Sequence, residues 1–187
     1  VWLVVVASCE EGGNRVKRIV LTGPESSGKT TLVRALAERF RLPYALEYAR
    51  LYLEKNGSHY DYGIVHEIAR GHLCYQAEQV PASCPLALYD TDLQNFLVWC
   101  EVAFSGCEPW LREAAAAENE HVYLICQPDL PWEYDPLREY PEGREALWEK
   151  HLAAVRATGR EYHIISGHGA ARLEQAAQVV SRWCETV

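Results

Sequence analysis

The stretch Gly23-Pro24-Glu25-Ser26-Ser27-Gly28-Lys29-Thr30-Thr31 fits G-x-x-x-x-G-K-[ST], and its flanks decide what it means. Before it runs Arg18-Ile19-Val20-Leu21-Thr22, a β-branched run that reads as a buried parallel strand. After it Leu32, Leu36 and Phe40 recur every fourth residue, the apolar stripe of a helix. Strand, glycine loop and helix in this order build an anion nest, in which loop and helix amides converge on a phosphate chain. Gly23 and Gly28 permit turns that a side chain would obstruct. The predicted cradle runs from Gly23 through Glu25, Ser26, Ser27 and Gly28 to Thr31. Lys29 reaches the β- and γ-phosphates, and the Thr30 hydroxyl ligates Mg²⁺.

The rest of the chain alternates short apolar runs with helical patterns. Arg41-Leu42-Pro43 stops the first helix, and strands are predicted at Tyr44–Leu46, Leu86–Tyr89, His121–Cys126 and Tyr162–Ile165. Helices are predicted from Leu51 to Asn56-Gly57, over 64–80 and 93–104, after Pro109, over 143–157 and near 170–184. Alternating β and α units predict an α/β fold of the P-loop NTPase and kinase kind. It has three layers, a five-stranded parallel sheet with helices on both faces.

A chain of 187 residues suits one domain, predicted to span 16–187. Residues 1–15 are expected to be a weakly ordered extension: they are apolar at first, carry no basic n-region, and precede the first strand. A net charge of −8 argues against broad nucleic-acid binding, while a locally positive nucleotide cleft is still compatible with it. No apolar run approaches the ~20 residues of a membrane helix, so neither nucleic acid nor membrane is an expected partner. Seven cysteines without a C-x-x-C pair argue against structural zinc and for reduced thiols in a cytoplasmic protein. The histidines, among them His66, His72 and His168, form no ligand pattern and read as surface or core residues.

Candidate chemistry gathers at strand ends. Asp90 follows a buried run, the position of an acid that holds Mg²⁺ directly or through water. Asp92 lies two residues on and points to the same side if the backbone stays extended; otherwise it, or Thr91, caps the following helix. Glu47 and Arg50 end the second strand, where a carboxylate can accept the proton of a substrate hydroxyl; alternatively they form a surface pair. Arg138 and Arg144 follow the fourth strand within a proline-rich segment, a predicted lid near 128–146. An arginine there stabilises charge on a transferring phosphate, the alternative being an Asp135–Arg138 surface pair. Tyr48 and Trp132 stand in or near loops and could stack on a planar ring.

Neither an Asn-Lys-x-Asp nor an Asp-x-x-Gly motif is present, which sets a GTPase aside. AAA+ type ATPases are set aside too, because they usually have a larger module and an Asp-Glu pair where this chain has Asp90-Thr91. "GPESSGKTTL", "EYAR", "DTD" and "PDLPWEYDPLR", in that order, resemble the nicotinamide riboside kinase domain of the bacterial NadR family over residues 17–184. The resemblance implies transfer of the ATP γ-phosphate to the ribose 5′-hydroxyl of nicotinamide riboside, with ATP and Mg²⁺ as cofactors. It implies phosphate contacts from Lys29 and the loop amides, Mg²⁺ on Thr30 and Asp90, and Arg138 and Arg144 closing over the γ-phosphate. Either Glu47 or Asp92 is then the base, the other gripping ribose, with Tyr48, Arg50 and Trp132 beside the acceptor. Two other readings stand beside it: a kinase for another nucleoside or a nucleoside monophosphate, and a non-catalytic ATP-binding regulator.

Overall fold

The computed structural model describes residues 16–118, 121–139 and 142–186; the extension expected at 1–15 lies outside them. Strand β1 (Lys17–Thr22) enters the glycine loop, and α1 (Lys29–Phe40) leaves it. Then come β2 (Tyr44–Ala45), α2 (Tyr48–Asn56), α3 (Tyr62–Gln79) and β3 (Leu86–Asp90). They are followed by α4 (Leu93–Phe104), α5 (Pro109–Ala117), β4 (His121–Cys126), α6 (Arg144–Ala157), β5 (Glu161–Ile165) and α7 (Gly169–Cys184). All pairings are parallel, in the order β2-β3-β1-β4-β5.

Alternation along the strands makes the layers, because successive side chains leave opposite faces. Ile19, Leu21, Leu86, Leu88, Val122 and Leu124 pack with Leu32, Val33 and Leu36 of α1 and with Ala176 and Val180 of α7. Val20, Ala87, Tyr89, Tyr123 and Ile125 turn the other way, onto Trp148, Leu152 and Val155 of α6. The sheet is therefore covered on both faces, and the middles of its central strands are apolar, with polar residues only towards their ends. A separate core joins Ala49 and Leu53 of α2, Ile68 of α3, Phe96 of α4 and Leu111 of α5.

After β1 the chain builds β2 and β3 on one side, and later β4 and β5 on the other. The order reverses at β1, so a crevice opens at its carboxyl end, where ligands of such sheets sit. The glycine loop occupies that crevice.

Candidate active site

Gly23 has φ 131, and a Cβ there would lie 2.6 Å from the carbonyl oxygen of Cys126. Only glycine lets the loop pass so close to β4. Gly28, at φ 78, is the N-cap of α1, and no side chain caps the first amides of the helix. Lys29 Nζ donates to the carbonyls of Gly23 and Pro24, each at 2.9 Å, so its ammonium lies across the nest. Ser27 Oγ closes the loop on Pro24 O at 2.7 Å.

Thr30 Oγ1 donates to Asp90 Oδ2 at 2.5 Å. Asp90 is fully buried, and its Oδ1 has no hydrogen-bond partner among the described residues. Burial raises its pKa against the opposing charge of Lys29 and the Thr30 bond. A hydroxyl beside a buried carboxylate with one unused oxygen is an oxygen donor set that fits a divalent magnesium ion.

A cavity of about 610 Å³ runs from Gly23–Thr31 past Glu47 and Arg50 to Tyr60, Asn95 and Trp99, with Leu137, Arg138 and Glu139 on its rim. Glu47 stands at the N-cap of α2 but makes no side-chain cap bond, which leaves its carboxylate for the cavity. Burial pushes its pKa up to about 7; Lys29 pulls it down, and Asp90 adds to the rise. Arg50 pairs with Glu54 at 2.9 Å and with Asp135, so the segment after β4 is tied to α2 rather than Glu47 to Arg50.

The segment after β4 lies on the glycine loop through Ser26, which holds an uncommon left-handed backbone at φ 54. Its Oγ accepts from the Glu133 amide at 3.1 Å and from Arg138 Nη1 at 3.5 Å. Arg144 Nη1 donates to the carbonyls of Ser26 at 3.3 Å and Leu130 at 3.0 Å. The Glu139 amide donates to a Glu25 carboxylate oxygen at 3.2 Å.

Five expected residues, Asp90, Asp92, Tyr48, Trp132 and Arg144, do not line the cavity, although Asp90 and Arg144 bond to loop residues that do. Asp92 is buried and caps α4, its Oδ1 accepting from the Gln94 amide at 3.0 Å and its Oδ2 from the Tyr123 hydroxyl at 2.6 Å. The extended backbone that would align it with Asp90 is broken at Thr91, where φ is 71. Asp92 joins instead a buried group with Glu118 and His121, whose ligand-type atoms lie within 4.8 Å of one another. Guanidinium groups already balance this group: Arg18 is 3.3 Å from Glu118, and Arg160 Nη1 donates to Tyr123 Oη at 3.2 Å. Tyr48 packs between Tyr52 and Tyr75 and against Gly71. The Trp132 ring lies beside the guanidinium carbons of Arg138 and Arg144, 6.0 and 5.7 Å from its centroid.

Sequence reasoning missed Tyr60 and Trp99, whose rings meet edge to face at 4.8 Å on the cavity wall. Trp99 reads as one more apolar helix residue, and Tyr60 as loop. It also missed His151 of α6, which lines the cavity and shares a 3.3 Å hydrogen bond with Thr22. Burial, with the Lys29 charge added, pushes the His151 pKa down to about 3, so it stays neutral.

A family model described as an AAA domain matches residues 18–172, most of the chain. The chain belongs to the AAA domain family. The family carries the AAA name, while the strand-end pair remains Asp90-Thr91, unlike the Asp-Glu pair of AAA+ type ATPases. The resemblance to NadR proteins holds as well. The trifunctional NAD biosynthesis/regulator proteins NadR of Salmonella typhimurium and Escherichia coli are each 29% identical over 127 residues. That alignment covers 66% of this chain and 31% of each relative, so the chain spans about a third of the curated relatives it matches. A solved NadR structure in complex with NR superposes with a TM-score of 0.73 at 23% identity, covering 89% of this chain and 51% of that one. Another, in complex with NAD and AMP-PNP, gives 0.76 at 25% identity, covering 89% and 49%. The fold is that of the P-loop kinases.

Proposed function

We propose that this chain is an ATP-dependent kinase that transfers the γ-phosphate of ATP to the ribose 5′-hydroxyl of nicotinamide riboside, giving nicotinamide mononucleotide. The observation that carries the reading is Glu47, held in the cavity between the glycine loop and an aromatic wall, with a pKa near that of a working base. NadR relatives whose solved structures hold NR or AMP-PNP support it.

The loop amides and Lys29 take the phosphate chain, and Thr30 with Asp90 holds Mg²⁺, which supplies positive charge to the phosphate oxygens. Glu47 accepts the 5′-hydroxyl proton as that oxygen bonds to the γ-phosphorus. The bond to the β,γ-bridging oxygen breaks, and ADP leaves. Residues 128–146 act as a lid, and Arg138 and Arg144 exchange loop contacts for phosphate as it closes. Tyr60 and Trp99 give a planar ring its faces, and Glu25, Glu47 and Glu139 around the cavity suit a cationic pyridinium. An acceptor that already carries phosphate would need free guanidinium groups, whereas Arg50 is engaged by Glu54 and Asp135.

The test is ADP release with Mg-ATP and a panel of nucleosides and nucleoside monophosphates. Turnover with nicotinamide riboside is expected, and Lys29→Ala is expected to lose about 10²–10³-fold in kcat. Turnover only with a nucleotide, or ATP binding with no acceptor turned over, overturns the reading.

A further inference from the structure

Arg172, in the first turns of α7, is buried, yet its guanidinium touches separate loops. Nη2 donates to the carbonyl of Ser27 at 2.8 Å and to that of Gln127 at 3.0 Å. Nη1 donates to the carbonyl of Gly167 at 3.0 Å and to Asp129 Oδ1 at 2.6 Å. Asp129 Oδ2 in turn accepts from the Gly167 amide at 2.5 Å. The glycine loop, the exit of β4 and the turn into α7 are thus joined at one side chain. Asp129, quoted in the "PDLPWEYDPLR" run, has no part in the phosphate chemistry above.

We infer that Arg172 is a positioning residue for nucleotide binding, with Asp129 as its anchor. The physical reason lies in the Ser27–Gly28 peptide. In a trans peptide the carbonyl and the following N–H point in opposite directions. Fixing the Ser27 carbonyl on Arg172 therefore fixes the Gly28 N–H, one donor of the nest. Next to a glycine at φ 78 that peptide is otherwise free to rotate, and a rotated peptide presents a carbonyl to phosphate instead of a donor. A planar fork of five donors can hold Asp129 and the carbonyls at once; an ammonium cannot reproduce the arrangement. Asp129 also stands at the root of the lid, so the same contact sets where that segment leaves the sheet.

The inference rests on reading the loop as a phosphate nest and is independent of the acceptor. The experiment measures ADP affinity by calorimetry and thermal unfolding side by side, for the whole chain and for Arg172→Lys, Arg172→Ala and Asp129→Asn. Arg172→Lys is expected to stay folded and to bind ADP about tenfold or more weakly. Asp129→Asn is expected to weaken ADP in the same direction by less. In steady state KM for ATP should rise more than kcat falls, while KM for the acceptor holds. If Arg172→Ala does not fold, the two milder variants decide. Variants that lose only melting temperature and bind ADP as the wild type does overturn the inference and leave the nucleotide reading standing. A wild-type chain that binds no ADP sinks both.

Discussion

Glu47 occupies an N-cap position without using its side chain to cap, and this frees the carboxylate for chemistry. Burial raises its pKa from 4.5 to about 7, opposed by Lys29 and reinforced by Asp90. A base must be ionised to act, so a raised value places the acid limb of activity near neutrality instead of near pH 4.5. For the free enzyme that limb is read in kcat/KM. We expect kcat/KM for the acceptor to rise with unit slope through about pH 7 and level off above it. Glu47→Gln should lose about 10²–10⁴-fold in kcat and abolish the limb. A profile flat from pH 5.5 upward, or a Gln variant near wild-type rate, removes Glu47 from the base role. Asp92 is the contrasting carboxylate: burial raises its pKa too, but its partners are a helix amide and a tyrosine.

At the scale of elements, Asp92 belongs to the junction between β3 and α4. Asp92→Ala deletes an N-cap and leaves the buried Tyr123 O–H donor without its acceptor, which together should cost about 2–4 kcal/mol. At ~2–4 °C per kcal/mol for a chain of this size, the loss is visible as a clear fall in melting temperature. KM for the acceptor should not move. A folded Asp92→Asn protein with its melting temperature intact but kcat down by about 100-fold would return Asp92 to the catalytic set. This junction marks where the sequence stops being legible. Strands β1, β3 and β4 could be read because buried parallel strands are continuous apolar runs, and α1 because Leu32 and Leu36 keep a helical period. The alignment of Asp90 with Asp92 assumed an extended backbone, and nothing in Asp-Thr-Asp announces that Thr91 turns left-handed. Tyr60 and Trp99 were illegible for another reason. An aromatic on a helix face or in a loop is a core residue or a binding wall depending on what the other elements place opposite it. Arg172 likewise lies far along the chain from Ser27, and only the sheet order brings them together.

Over the whole molecule, buried titratable groups act on stability in opposing directions. His72 and His151 are held neutral, both pushed down to about 3, by burial first and then by Arg18 and Lys29 respectively. Such groups leave stability untouched above pH 6.5; below it the unfolded chain takes protons that the native state refuses. Glu47 and Glu118 are pushed up to about 7, mainly by burial, and Asp90 and Asp92 are raised for the same reason. Their stabilising effect is complete below the unfolded values near 4 and is lost as pH rises towards their folded values. Between about pH 4.5 and 6.5 native Glu47 and Glu118 therefore hold protons while the two unfolded histidines hold theirs, and these effects offset each other. Below about 4 the carboxylates are protonated in both states and the histidines act alone. Two protons correspond to about 2.7 kcal/mol per pH unit. Urea unfolding without nucleotide or Mg²⁺ should then show no loss of stability from pH 7 to 4.5 and a steep fall beneath. His72→Gln should roughly halve the steepness contributed by the pair, because one proton of uptake disappears. A stability that already declines between pH 6.5 and 5 would mean that Glu47 and Glu118 ionise normally in the folded state. The acid limb expected for catalysis near pH 7 would then have no source in Glu47, so one titration of stability bears on both the fold and the site.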